Sequence, residues 1–480
     1  MATLRAEILE ALADRVPLLD DKSRSTWWTV SASCSSALFR ANIMKDPEAI
    51  REVAATRADI GHMVLSACSA SVAQGCRRSR AEIDKLRRDP AHLCPSLYLL
   101  VKGKCFAPDG QHICKEPGHS CMRKVWPTHR FPAARRWQEA GRALEHMCWQ
   151  LPRALGVGSL ATAFGELRAA FGTDLPPRPA DGRCLGCRAV LEHTSLIVGD
   201  ISQLFESIDS EETVVRFVAA MRAIGLTSED SAWISIGLPR RVWLTAPPPG
   251  TLATRWPMTK PARTCWAGAC LRNAAAGARI LQFRGVPIGG RLSKALAELH
   301  VATAENFGIA GRRRFGAVRY VDDATAASDQ LCGNCLAAAL GGLSPYNVKI
   351  VKPGNPEPWL DFVMAPAGRS GICISPAVRT PWTRPSKPPS IPSWMGGPPE
   401  NFWTSRSRLV ARLARLAEQG VDGTIAARAL SAEVGVWLSL GWPAAFVRKL
   451  GGSLALTTPA QAAARRYIVE LAARAARDGL

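Results

Sequence analysis

Two adjacent aspartates, Asp322 and Asp323, sit within "FGAVRYVDDATAAS" (residues 315–328), between a hydrophobic run and an Ala-rich one. The chain around them carries 61 Lys+Arg against 40 Asp+Glu and a formal charge of +21. Carboxylates brought together at a hairpin tip repel, and one of them is driven to a higher pKa unless something positive lies between them. A divalent cation is the simplest remedy, and Mg²⁺ prefers hard oxygen ligands, leaving the rest of its octahedron to water and phosphate. A third carboxylate, Asp200, stands near the end of the apolar run "HTSLIVGDI" (residues 193–201). An isolated Asp-Asp is ordinarily just a turn, so the meaning of this pair depends on its setting.

Thiols form the second chemical grouping. The chain has 15 cysteines, an odd number, and no export signal, which points to reduced thiols or metal ligands rather than a disulfide framework. "CLGC" at 184–187 precedes the Asp200 run and "CGNC" at 332–335 follows the aspartate hairpin. Cys105, Cys114, His119 and Cys121, with His112 nearby, are irregularly spaced, and "CWAGAC" at 265–270 has no obvious partners.

The elements that must position these groups are legible as a series. Ser195 to Ile201 reads as a strand that delivers Asp200 to its C-terminal end. A helix follows from near Ser210, where "SEE" resembles a capping box. After an irregular insertion at 237–270 comes a Gly-rich loop that opens a helix near Leu292. A strand, tight turn and strand carry the paired aspartates, "CGNCLAAALGGL" reads as a helix, and "YNVKIVK" as a last strand. This order builds a small antiparallel sheet with helices on one face, the split βαβ arrangement. It brings Asp200, Asp322 and Asp323 to one end of the sheet. The two Cys-x-x-Cys pairs then share the other end, as a tetrahedral Cys₄ zinc site or as separate buried thiols.

Composition sets the frame. At 480 residues with 47% hydrophobic content the chain can bury real cores, and its excess of basic residues, pI about 9.8, suits a polyanionic partner. No apolar run approaches the ~20 residues of a membrane span, so the expectation is a soluble intracellular protein with no membrane partner. Residues 1–92 read as a mainly helical extension, with the basic run "CRRSRAEIDKLRRD" at 76–89, and 93–182 as a hairpin, a helix and a Pro-rich loop. Residues 183–375 form the core domain. Residues 376–399, with eight prolines, form a stiff linker, and 400–480 a helical basic region. There Arg406, Arg408, Arg412 and Arg415 share a helix with Leu409 and Leu413 on another face, so one face can pack while the other meets phosphates.

These motifs, in this order, resemble the reverse transcriptases. "YVDD" at 320–323 matches the family's Tyr-x-Asp-Asp. "DISQLFESI" at 200–208 looks like its first palm motif, "GVPIGGRLSKAL" at 285–296 like the Gly-rich loop and helix between them, and "YNVKIVKPGNPEPWLDFVM" at 346–364 like the lysine-bearing strand and primer-grip hairpin.

The resemblance implies an α+β right-hand polymerase with a ferredoxin-like antiparallel palm at 183–375, a fingers-like region at 93–182 and a helical basic thumb at 400–480. It implies RNA-directed DNA synthesis with an RNA template, a DNA primer and deoxynucleotide triphosphates as partners, in a retroelement-like (retrotransposon) setting with nuclear residence. Asp200 and Asp322 would hold two Mg²⁺ ions, replaceable by Mn²⁺ in vitro, with Asp323 supporting. Phe205 would be the gate against a ribose 2′-OH. Gly289 and Ser293 would line the incoming nucleotide and template, Lys349 would lie near the triphosphate or pyrophosphate, and Lys102, Lys104 and Arg123 would be the fingers' phosphate-binding residues. One departure stands out: the family's usual Pro-Gln-Gly is here Pro287-Ile288-Gly289. It keeps open one rival, an inert nucleic-acid-binding retroelement remnant; a second, an RNA-dependent RNA polymerase, shares the palm but more often has Gly before its paired aspartates, and Phe205 argues for deoxynucleotides. A metal-binding protein with a ferredoxin-like sheet is the remaining alternative.

Overall fold

The structure, a computed structural model, describes residues 15–19, 27–31, 33, 35, 37, 50–72, 84, 87–102, 122–128, 131, 134–158, 160–173, 175–201, 204–209, 212–236, 241–258, 272–286, 288–308, 314–342, 346–360, 362–367 and 371–376. In the C-terminal region it describes 409–410, 413, 426–427, 430–431, 434–435, 437–438, 442–454 and 459–477. Two compact units result, one from residues 1–45, 99–123 and 375–480, the other from 46–98 and 124–374.

Along the chain come β1 (Arg15–Leu19), β2 (Trp27–Ser31), β3 (Ile50–Val53), α1 (Arg57–Val72), β4 (Tyr98–Val101), β5 (Met122–Val125), α2 (Ala134–Trp149), α3 (Leu160–Arg168) and β6 (Ser195–Ile201). Next are α4 (Leu204–Ser207), α5 (Thr213–Ala223), β7 (Ser231–Ser235), β8 (Val242–Trp243), β9 (Ala253–Pro257), β10 (Asn273–Ala276), β11 (Arg279–Phe283) and α6 (Ser293–Gly308). The series closes with β12 (Gly316–Tyr320), β13 (Asp323–Ser328), α7 (Gly333–Gly341), β14 (Tyr346–Val351), β15 (Glu357–Trp359), β16 (Phe362–Pro366), β17 (Ile372–Pro376), α8 (Ala444–Gly452) and α9 (Pro459–Arg477).

The central sheet of the second unit has the order β12-β13-β6-β14 with every pair antiparallel. With α6 before β12 and α7 before β14, this is the split βαβ topology. β6 reads as a nearly unbroken apolar run because both faces of the sheet are covered, and its residues 195–198 are all buried. One face, with Ile197, Ile201, Ala324 and Ala326, packs with Leu292 just before α6, with Leu296 and Val301 of α6 and with Leu336 and Leu340 of α7. The other, with Leu196, Val198, Val318 and Ala327, packs with Ala163 and Leu167 of α3 and with Trp359, Phe362 and Met364 of the β15–β16 hairpin. Helices on one face alone was therefore too simple: α3 and a second small sheet cover the reverse.

One further expectation differs from the structure: the 237–270 insertion is regular at both ends of its described part, where β8 and β9 flank β7. Among the described residues of 1–92, the strands β1, β2 and β3 accompany the helical ones, and β3 joins β10 and β11 in a sheet of the second unit. All these strands have two to five residues, too short to show a clear period of two. In the first unit α8 and α9 share a core with Leu409 and Leu413, both almost fully buried, and with Trp437 and Trp442. Among the described residues no helix is long and apolar enough to cross a membrane.

Candidate functional site

Register fixes the three aspartates. Asp323 is the direct cross-strand partner of Asp200, Tyr320 pairs with Asp323 across the hairpin, and Asn347 of β14 pairs with Asp200. Directly opposed residues project to the same face, so Tyr320, Asp323, Asp200 and Asn347 form one row across the sheet. Asp322 occupies the turn, where its carbonyl accepts a 2.8 Å hydrogen bond from the Ile201 amide. Asp200 is exposed, and Asp322 and Asp323 are half-buried. The donors are hard carboxylate oxygens with open surface beside them, a set that fits Mg²⁺.

The turn that presents Asp322 has two central residues, and Val321 holds φ at +60°. A β-branched residue in the left-handed region is a strained conformation that Gly would ordinarily relieve. What holds it lies on the helical side of the sheet. The Arg319 side chain is completely buried and donates to the Val321 carbonyl at 2.8 Å. Its guanidinium also donates to Glu298 at 2.8 and 2.9 Å and to Glu305 at 2.6 and 3.2 Å, two acids of α6 that are themselves 4% and 0% exposed. Glu305 additionally accepts from the Leu155 amide at 2.8 Å, and the Arg319 backbone bonds to Leu155 and Val157. At Gly156, between those two, a Cβ would fall 2.2 Å from a Glu298 oxygen. Sequence reasoning passed over this network. Its signals were a lone Arg inside the apolar strand GAVRY and two acids seven apart on α6.

At Gly199, between Val198 and Asp200, a Cβ would lie 2.5 Å from the Asn347 carbonyl oxygen. This close approach of β14 to β6 demands glycine.

Phe205 follows β6 in the short helix α4, half-buried against the helical-side core. Its carbonyl accepts from the Val286 amide at 2.8 Å, and Gly285 abuts it so closely that a Cβ there would lie 2.0 Å from that oxygen. The Gly-rich loop is therefore docked on the Phe205–Glu206 turn. Gly289 takes φ +94°, with Val125 Cγ1 against it, and Ile288 accepts from the Trp126 amide. The Ser293 hydroxyl is buried in the first turn of α6, without a hydrogen-bond partner among the described residues. Lys124, beside the predicted Arg123, forms a 2.7 Å ion pair with Glu206, and both line a small cleft with Trp126, Phe283 and Gly285. It is a basic residue that the structure places against the Phe205 turn, in a cleft that Arg284 also lines. Arg123 and Lys124 both stand in the basic stretch MRKV of β5, and sequence alone gave no reason to prefer the second.

Lys349 is exposed on β14 opposite Val198, on the same face as Asp200, and ion-pairs with Glu357 of β15. Lys102 and Arg123 are half-buried and belong to the first unit. Lys104, Arg406, Arg408, Arg412 and Arg415 lie outside the described residues, as do the Cys105–Cys121 cluster and Cys265 and Cys270.

At the far end of the β6–β13 pair the two Cys-x-x-Cys segments converge. The sulfurs of Cys184, Cys187, Cys332 and Cys335 all lie within 4.8 Å of one another. Among the described residues this is the group whose metal-type ligand atoms gather so tightly, whereas the three aspartates meet through their strand positions.

No family model matches the chain, and no curated protein matches it in sequence. Among solved structures it is similar to telomerase from Candida albicans in complex with a TWJ fragment of telomeric RNA, at 9% identity and a TM-score of 0.49, covering 96% of this chain and 68% of that one. It is also similar to telomerase from Candida tropicalis, in the apo form at 9% identity and a TM-score of 0.45, and with a TWJ RNA fragment at 10% identity and 0.46. Each of these alignments covers 96% of this chain and 71% of that one. Similarity at this level assigns no activity to the chain.

Proposed function

We propose that this chain is a template-directed nucleotidyltransferase of the reverse-transcriptase type, which extends a DNA primer on an RNA template with deoxynucleotides. One observation carries the reading: Asp323 pairs directly with Asp200, and Asp322 stands in the adjoining turn, at one end of a β12-β13-β6-β14 sheet. That sheet would be the palm, the β4–β5 hairpin part of the fingers, and the helical region that includes α8 and α9 the thumb.

The reaction is attack of the primer 3′-hydroxyl on the nucleotide α-phosphate with loss of pyrophosphate. Asp200 and Asp322, supported by Asp323, would hold the divalent cations, which when bound neutralise charge on the attacking and leaving oxygens. The chain's own groups do the positioning. Phe205, fixed through its carbonyl to Val286, would stack beneath the sugar and exclude a 2′-hydroxyl. Lys124, held by Glu206 next to that turn, would face the triphosphate together with the residues around Gly289. Ile288, where the related loop carries Gln, offers its backbone carbonyl to Trp126. The loop is thus held by a backbone contact that does not depend on the side chain at 288.

The test is primer extension by the purified chain with Mg²⁺ on matched RNA and DNA templates, offering deoxynucleotides or ribonucleotides. Deoxynucleotide extension on RNA is expected. Ribonucleotide extension would turn the reading to an RNA polymerase. Binding of primer–template without extension under any metal would turn it to the inert remnant.

A further inference from the structure

The two Cys-x-x-Cys segments are not used by the reaction, yet they are built with as much constraint as the aspartate end. Cys184, Cys187, Cys332 and Cys335 present four sulfurs within 4.8 Å of one another, and Cys187 and Cys332 are 3.5 Å apart, sulfur to sulfur. Four thiolates ~2.3 Å from a common tetrahedral centre lie ~3.8 Å from one another, so the spacing matches a metal site. It falls well outside the ~2.05 Å of a disulfide.

The loops are shaped for it. The Gly186 amide points at Cys184 Sγ at 3.3 Å and the Cys332 amide at the same sulfur at 3.2 Å. Such N–H donors suit a thiolate. Arg188, just past the first pair, takes φ +64°, so that its amide reaches back to the Cys184 carbonyl and the chain turns sharply around the sulfurs. At Gly186 a Cβ would lie 2.7 Å from Cys335 Sγ, so glycine lets the two segments close on each other. Cys332 caps α7 and Cys335 stands in its first turn, where the helix N-terminus favours negative charge. An all-sulfur donor set selects a soft or borderline ion over Mg²⁺.

We propose that these four cysteines bind one Zn²⁺ as a closed structural site that clamps the end of the β6–β13 pair opposite the aspartates. Cys187 lies shortly before β6 and Cys332 shortly after β13, and the Leu185 amide bonds to the Gln330 carbonyl between them. The clamp pins the Ser195–Ser328 end of the strand pair whose other end is Asp200–Asp323. A slip of one residue would move one of those carboxylates to the opposite face. This consequence for catalysis rests on the polymerase reading; the metal site does not.

The test is element analysis of the full-length protein purified under reducing conditions, beside Cys187→Ser/Cys335→Ser, with alkylation mapped by mass spectrometry before and after chelation. The double variant should lose one equivalent of zinc relative to wild type. In wild type the four thiols should resist alkylation until a chelator is added, while the exposed Cys373 reacts throughout. The protection experiment decides the matter even if the variant fails to fold. Iron in place of zinc, a Cys187–Cys332 disulfide, or equal alkylation with and without chelator would overturn the proposal. If zinc is present in a chain that shows no extension activity, only the polymerase reading fails.

Discussion

Arg319 donates a 2.8 Å hydrogen bond to the carbonyl of Val321, two residues on, at the turn that carries Asp322. The guanidinium is inaccessible to solvent and spends its other donors on Glu298 and Glu305. A buried charged triad is weak evidence for stability in itself, because desolvation offsets most of the attraction. Its use here is positional: it holds a β-branched residue at φ +60° and thereby sets where Asp322 stands.

Arg319→Met is expected to destabilise the fold by about 3–5 kcal/mol, because Glu298 and Glu305 are left buried without their cation. Arg319→Met combined with Glu298→Leu and Glu305→Leu should recover much of that stability in denaturant unfolding. Primer extension should remain depressed in the triple variant, through kcat more than KM, because the Val321 carbonyl still lacks its donor. Full recovery of both would mean that the triad is structural filling.

Gly199→Ala places a methyl group 2.5 Å from the Asn347 carbonyl oxygen. β14 must shift, and the expected cost is about 1–3 kcal/mol with a fall in extension activity, since Asp200 is the next residue. An unfolding midpoint and an extension rate equal to wild type would show that the β6–β14 spacing is not critical.

Phe205→Ala should admit ribonucleotides. The expected change is a rise of roughly tenfold or more in the ribonucleotide-to-deoxynucleotide ratio of kcat/KM, equivalent to ~1.4 kcal/mol or more of lost discrimination. Single-nucleotide extension with each sugar measures it, and an unchanged ratio would remove Phe205 from the gate.

His300 supplies a pH dependence. Its ring Nε2 lies 3.1 Å from the Thr213 hydroxyl, and burial, reinforced by Arg216 and opposed by Glu212 and Asp209, lowers its pKa to about 4. The folded state therefore holds this imidazole neutral, while the unfolded chain protonates it near its ordinary value of 6.5. Its contribution is intact above that value and is lost as pH falls from 6.5 towards 4, by up to ~3 kcal/mol. Urea midpoints across that range should fall more steeply for wild type than for His300→Gln. Parallel curves would contradict the assignment.

The legible part of this protein was the part with short-range signals. The strand from Ser195 to Ile201 was readable as an apolar run, and the β12–β13 hairpin from its paired aspartates, although "ATAAS" is Ala-rich and has little strand propensity of its own. Convergence of the two cysteine pairs followed from topology alone. What escaped was set by tertiary contact. Arg319 finds its partners 14 and 21 residues away on a helix, and β3 pairs with β11 far along the chain. Lys124 is placed by the Glu206 carboxylate that it meets, a contact between residues 82 positions apart.

The most direct measurement is primer extension on an RNA template with deoxynucleotides and Mg²⁺, comparing wild type with Asp322→Ala/Asp323→Ala and with Asp200→Ala. The account predicts extension by wild type, a loss of several orders of magnitude in both variants, and primer–template binding that persists in all three. Extension that survives removal of the paired aspartates would contradict it.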